Sequence, residues 1–237
     1  MTRPRLAVVG LGRMGQRLVE LAEEQGWEVT ARIAASGNRA GAGITRDTLA
    51  GAEVCVDFTT AVAAPANIRA AVRAGCPIVV GTTGWDAERQ EVEQDVRAAG
   101  GSLLISPNFS VGVNVLWQVA EYAAGLLAHV PGFDAHIVET HHAGKRDAPS
   151  GTALQLRDLI RAALNRDVPV TSIRTGSVPG THELLFDGAF EQIRLVHVAR
   201  DRRVFAEGAL VAARWLIGRR GIFTMADLLA GDPAPGQ

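Results

Sequence analysis

Fourteen consecutive residues, ETHHAGKRDAPSGT at positions 139–152, gather two histidines, a lysine, an arginine, an aspartate and a Ser-Gly-Thr step. His141 and Lys145 are of the types that deliver protons. An imidazole titrates close to neutrality, and an ammonium either gives up a proton or pairs with a substrate carboxylate. His141 and His142 are adjacent after a strand-like run, so the alternation of a strand turns at least one ring away from the buried face. Ser150, Gly151 and Thr152 open a helical pattern. Their hydroxyls and the N–H groups of a first turn form a cradle for a carboxylate or phosphate, and the same residues also serve as a plain helix cap. A histidine pair can bind a metal, but no third ligand stands at recognisable spacing, and no metal is expected.

A second constellation lies near the start of the chain. Gly10-Leu11-Gly12-Arg13-Met14-Gly15 is a GxGxxG placed after an apolar strand and before a helix. Gly10 permits the tight turn, Gly12 lets the backbone approach a pyrophosphate, and Gly15 lets the helix lie close to the strand. The helix N-terminus adds N–H groups and the positive end of its dipole. A site selective for NAD carries an acid after the second strand, where it binds the ribose 2′-OH. Here residues 31–39 read ARIAASGNR, with no carboxylate and with Arg32, Ser36 and Arg39 close by. Without the acid, repulsion against a 2′-phosphate disappears. NADPH is therefore expected to be accepted or preferred, with NADH open; a solvated loop would read the same way. Gly81-Thr82-Thr83-Gly84 closes another strand-like run, at the edge where doubly wound sheets bind ligands.

The elements that position these residues change character along the chain. Strand-like runs at 6–10, 27–34, 54–60, 77–83 and 102–106 alternate with helical patterns at 65–74 and 86–99 and with the helix after the glycine turn. Strands this apolar are buried on both faces, as in a parallel sheet flanked by helices. After Pro107 come a helix at 113–128, a strand at 135–140, a helix at 152–164 and a strand-rich stretch with few helices, which predicts a second, α+β unit. Helices at 205–216 and 225–229 precede a GDPAPGQ tail expected to be disordered. With 24 basic and 25 acidic residues, no global field recruits nucleic acid or a membrane surface. The N-terminus begins as a strand rather than a secretory leader, and the apolar stretch 111–130 is interrupted by Asn114, Gln118 and Glu121, so a soluble cytoplasmic protein is expected. Cys55 and Cys76 read as small buried hydrophobes.

The stretch ETHHAGKRDAPSGTAL resembles the substrate loop of the 4-hydroxy-tetrahydrodipicolinate (dihydrodipicolinate) reductases. VVGLGRMG, VDFTT, VVGTTGW, SPNFSVGVN, SIRTGSVPGTHELLF, VHVARDRRVFAEGALVAARWL and GIFTMADLL extend the resemblance over nearly the whole chain in order. It implies a Rossmann-like, doubly wound α/β domain formed by residues 1–107 and 207–237, with an inserted α+β domain at 108–206 for substrate and tetramer formation. The implied reaction is the NADH- or NADPH-dependent reduction of a cyclic imine dicarboxylate in lysine and diaminopimelate synthesis. By the same resemblance His141 is the proton donor and Lys145 the second proton-donating residue. His142, Gly151 and Thr152 match substrate positions, to which the helix start adds Ser150. Gly81, Thr82, Thr83 and Ser106-Pro107-Asn108-Phe109 match cofactor contacts. Two features depart from the pattern: the shorter first glycine turn and the missing acid after the second strand. An amino-acid dehydrogenase acting on aspartate and a non-catalytic nicotinamide sensor are the competing readings. His129, His136 and His197 carry no assigned role, while His182 and Arg174 fall in family-like sequence near the loop.

Overall fold

The structure is a computed structural model that describes residues 3–231; beyond Gly231 the tail expected to be disordered lies outside the described residues. Residues up to Ser110 together with those from Phe205 onward form one compact unit, and Val111–Val204 form another.

In the first unit β1 (Arg5–Val9), β2 (Glu28–Ile33), β3 (Val54–Asp57), β4 (Ile78–Val80) and β5 (Ser102–Ile105) run parallel, joined at the edge by a sixth strand, β10 (Gly221–Phe223). Every residue of β3, β4 and β5 is buried, which is why these runs are apolar without alternation. The order β10-β5-β4-β3-β1-β2 shows the chain moving outward from β1 to β2 and then returning to the other side of β1 with β3. The carboxyl ends of β1 and β3 thus flank a topological switch point, where sheets of this kind bind ligands. Helices α1 (Arg13–Glu24), α2 (Ala64–Arg73) and α3 (Asp86–Ala98) connect successive strands, and α1 buries Gly15, Leu18 and Ala22 at helical spacing. The strands expected at 54–60 and 77–83 end at Asp57 and Val80, because their polar ends bend into turns. Sequence patterning does not reveal β10. Its three residues, Gly-Ile-Phe, are too few to display a period, and only pairing with β5 makes them a strand.

The second unit holds α4 (Val111–Leu127), β6 (Asp134–His141), α5 (Gly151–Leu164), β7 (Val170–Arg174), β8 (Gly180–Asp187) and β9 (Gln192–Ala199). Its sheet, ordered β7-β6-β8-β9, is mixed: β7 runs parallel to β6, and β8 runs antiparallel to both β6 and β9. Ile137, Leu184 and Phe186 pack with Leu116 and Trp117 of α4 and Leu156 and Ile160 of α5. The same period of two carries Glu139 and His141 along β6, and His182 along β8, on that inner side. The opposite side bears Val138, Leu185, Ile173, Val196 and Val198, and Val196 and Val198 are 53% and 58% exposed. The last two helices are α6 (Arg203–Leu216) and α7 (Met225–Ala230). Among the described residues no helix is long and apolar enough to cross a membrane.

Candidate active site

The end of β6 places Glu139 and His141 two residues apart on one face, both buried. The Glu139 carboxylate is held from several sides. Its Oε1 accepts from Arg174 Nη2 at 2.6 Å and from the Ser150 N–H at 3.3 Å, and its Oε2 meets His141 Nδ1. Burial opposes the charge on Glu139, but the hydrogen bonds of Arg174, Ser172 and His141 outweigh it, and its pKa is lowered to about 2. An ionised Glu139 requires a proton on His141 Nδ1, which leaves Nε2 as the nitrogen free to exchange a proton. Beside Nε2 stands Gly180, where an added Cβ would lie 3.1 Å away, so a side chain there would crowd that nitrogen. Burial pulls the His141 pKa below its ordinary value, against the upward pull of Glu139.

His182 crosses His141 edge to face at 5.2 Å, with Nε2 3.3 Å from Ser150 Oγ and a buried Nδ1 that has no hydrogen-bond partner among the described residues. Burial, reinforced by the neighbouring His141, holds its pKa down at about 4, so the ring is neutral at pH 7. Glu139, His141 and His182 offer ligand atoms within 4.8 Å of one another. Yet both carboxylate oxygens are already engaged, one of them by a guanidinium whose charge opposes a second cation.

The loop after β6 arranges the remaining candidates differently from one another. Lys145 Nζ lies 2.8 Å from each oxygen of Asp147, and this ammonium lowers the Asp147 pKa. Half-buried His142 leads the turn, its carbonyl accepting from the Lys145 N–H at 3.1 Å. Arg174 Nη2 reaches the Asp147 carbonyl at 2.6 Å and so ties the loop to the Glu139 cluster. Ser150, read from the sequence as an anion contact and equally as a helix cap, is buried. Its Oγ accepts from the Ala153 N–H at 3.2 Å as the cap of α5 and contacts His182. Exposed Gly151 and half-buried Thr152 then form the outer part of that helix start. Glu139 had no role in the sequence reading. Its signal was the Glu-x-His spacing, which on a strand puts an acid and an imidazole on one face.

The glycine turn has the features a dinucleotide needs. Gly10 adopts φ +90°, and a Cβ there would stand 2.5 Å from the Phe58 carbonyl oxygen; at Gly15 it would stand 1.8 Å from the Gly10 oxygen. Gly12 caps α1 with nothing within 4 Å of where a Cβ would project, and the first turn holds no acid to compete for an anion. Arg13 is exposed there, while Leu11 and Met14 are half-buried. Ser36 and Arg39 are exposed in two short 3-10 turns after β2, whereas Arg32 pairs with Glu23.

At the ends of β3 and β4 the expected polar contacts turn inward. Thr82 is buried, and its hydroxyl donates to Asp57 Oδ1 at 2.7 Å and accepts from the Thr59 N–H at 2.9 Å. Asn67 donates to Asp57 Oδ2 at 2.7 Å and accepts from Asn38 Nδ2 at 2.8 Å. Burial raises the Asp57 pKa against these hydrogen bonds. This buried network braces the turn, leaving Thr83 exposed. Gly81 lies against Phe58, where a Cβ would meet the ring at 2.1 Å, and Phe58 packs edge to face on Phe109 at 6.1 Å. Ser106 Oγ donates to the Asn108 carbonyl at 2.6 Å, and Pro107 is exposed. Asp57, Phe58 and Asn67 were absent from the sequence reading of the site, since their link is spatial.

Two family models match: "Dihydrodipicolinate reductase, N-terminus" over residues 4–109 and "Dihydrodipicolinate reductase, C-terminus" over 112–229. A 4-hydroxy-tetrahydrodipicolinate reductase of Archaeoglobus fulgidus is 38% identical over 95% of this chain and 99% of its own. One of Methanoculleus marisnigri is 40% identical over 75% of each. The dipicolinate-bound dihydrodipicolinate reductase of Paenisporosarcina sp. TG-14 shares the fold, with a TM-score of 0.78, 22% identity and coverage of 94% of this chain and 98% of that one. An aspartate dehydrogenase of Thermotoga maritima resembles it less, at a TM-score of 0.52 and 12% identity over 92% of this chain and 98% of the other. A Rossmann-like sheet with an inserted mixed-sheet unit, matched by the two models over 4–109 and 112–229 and by a relative 38% identical over 95% of the chain, assigns the chain to the dihydrodipicolinate reductase family.

Proposed function

We propose that this chain is a cytoplasmic 4-hydroxy-tetrahydrodipicolinate reductase that works as a homotetramer, reducing its cyclic imine dicarboxylate with NADPH or NADH in lysine and diaminopimelate synthesis. The observation that carries the mechanism is the Glu139–His141 pair, clamped by Arg174 beside a cationic loop. A reduced nicotinamide dinucleotide, its pyrophosphate held at the glycine turn, would supply the hydride. The chain must then provide a proton and hold two carboxylates. His141 gives the proton from Nε2, and Glu139 stabilises the imidazolium that precedes transfer. Lys145 is held at the loop by Asp147, where a substrate carboxylate competes for the ammonium. His142, Gly151 and Thr152 complete the anion contacts, the last two through N–H groups that a helix leaves without intrahelical acceptors.

Gly10, Leu11, Gly12, Arg13, Met14 and Gly15 receive the pyrophosphate. Ser36 and Arg39 take the adenosine end, and Gly81, Thr83 and the 106–109 segment take the nicotinamide end. Thr82 acts from behind through Asp57. Since no acid follows β2, NADPH is accepted or preferred, with NADH open. Support for the tetramer comes from the open face of the mixed sheet, whose exposed valines are the kind of surface a partner covers.

The test is oxidation of NADH and NADPH, side by side, with enzymatically generated 4-hydroxy-tetrahydrodipicolinate. Substrate-dependent oxidation is expected with NADPH at an efficiency within about ten-fold of that with NADH or above it. No oxidation by folded, cofactor-binding protein overturns the function. An NADH advantage of about ten-fold or more, roughly 1.4 kcal/mol at the transition state, overturns the cofactor assignment alone.

A further inference from the structure

Cys55 and Cys76 lie on the far side of the parallel sheet from the ligand edge, one within β3 and the other two residues ahead of β4. Both are free thiols, and their sulfurs stand 3.2 Å apart. They are not equivalent. Cys55 is wholly enclosed, whereas Cys76 is 5% exposed and helps to line a cavity of about 250 Å³ at the amino ends of β4, β5 and β10. Gly75, Gly100, Gly101 and Gly218 form much of that wall and keep it free of bulky side chains. Arg220, whose Nη1 donates to the Gly100 carbonyl at 3.1 Å, adds positive charge to that wall, which favours an anionic reagent.

The geometry points to a thiol–disulfide exchange site in which Cys76 takes up a small anionic disulfide from the cavity and Cys55 resolves it. In the first step the Cys76 thiolate attacks one sulfur of the small disulfide, forming a mixed disulfide and releasing one thiolate. In the second, Cys55 sulfur attacks Cys76 sulfur, the second small thiolate leaves, and it takes the proton that Cys55 loses. Overall the protein dithiol is oxidised by two electrons to a Cys55–Cys76 disulfide, and the small disulfide is reduced to two thiols. The hydrogen bond to Cys76 and then burial push the Cys55 thiol well above its ordinary value, so Cys55 retains its proton while Cys76 attacks. Division of labour follows from position: Cys76 lines the cavity, and Cys55 is wholly enclosed behind it. Within the first unit both cysteines lie at the amino ends of their strands, opposite the glycine turn at the carboxyl end of β1.

Native full-length protein is incubated with glutathione disulfide, quenched in acid and alkylated under denaturing conditions for intact-mass analysis. Wild type should lose both alkylatable thiols and two hydrogens, with no retained adduct. Cys55→Ser should instead keep one glutathionyl group at Cys76, and Cys76→Ser should take up none. If a serine disturbs the packing, Cys55→Ala serves in its place, and the wild-type result stands without either variant. The rate should be insensitive to low urea, since the cavity is open in the native state; a steep rise with urea would place the reaction in the unfolded chain and overturn the proposal. Two persistent thiols in the native wild type, or an adduct on Cys55 in Cys76→Ser, overturn it as well.

Discussion

His141 owes its competence to Glu139 more than to the loop that contains it. The carboxylate fixes the imidazole tautomer, turns the ring and opposes the burial that lowers its pKa. As the proposed general acid, His141 should lose effect as pH rises through that lowered pKa, so kcat/KM should fall on that limb below the ordinary 6.5. Glu139→Gln removes the upward pull, and the limb should move to still lower pH while kcat drops by about 100-fold. A pH profile measured on both proteins checks this. An unshifted limb with unchanged kcat would make Glu139 a purely structural anchor for Arg174 and Ser150.

Close approach at the scale of elements is set by glycines. Gly208 in α6 lies so near the 106–109 segment that an added Cβ would stand 1.7 Å from the Phe109 carbonyl oxygen. Gly208→Ala must push the helix from that segment. An overpacking cost of roughly 3 kcal/mol is expected, together with weaker cofactor binding, read by urea midpoint and by nucleotide titration. Unchanged affinity at normal stability would mean that the 106–109 segment takes no part in holding the cofactor. The motif around Gly208 is visible in the sequence, but its partner is about a hundred residues away, and only the fold reveals what it touches.

For the molecule as a whole, the buried histidines make stability depend on pH in a defined direction. His182 titrates at 6.5 when unfolded and at about 4 when folded. Between those values the unfolded chain holds more protons, so stability rises with pH and is lost as pH falls through the window. A shift of this size corresponds to roughly 3 kcal/mol. Glu139, lowered from 4.5 to about 2, contributes a separate loss at lower pH. Urea midpoints from pH 7 to 4 should therefore decline, and His182→Gln should flatten the decline; an equally steep curve in the variant would contradict the assignment. Assembly is tested on the open sheet face. Val196→Lys with Val198→Lys places two charges at positions 53% and 58% exposed in the single chain, which should cost the monomer little. Light scattering should show the proposed tetramer broken into smaller species, and an assembly unchanged by the two lysines would move the interface elsewhere.

Taken alone, the sequence determined the character of both units and the two chemical segments. Apolar runs without alternation marked the parallel sheet, GxGxxG marked its first turn, and the histidine-rich loop stood out by composition. These signals are local, carried by residues within a few positions of one another. The tertiary structure decided which side chains act together. It joined Glu139 and Arg174 across a parallel strand pair, brought His182 against His141, and turned Ser150 and Thr82 inward as supports. It also made a strand of 221–223 by supplying β5 as a partner. Pairing register and burial are long-range properties, set by which strands meet, and no window of sequence contains both halves of such a contact.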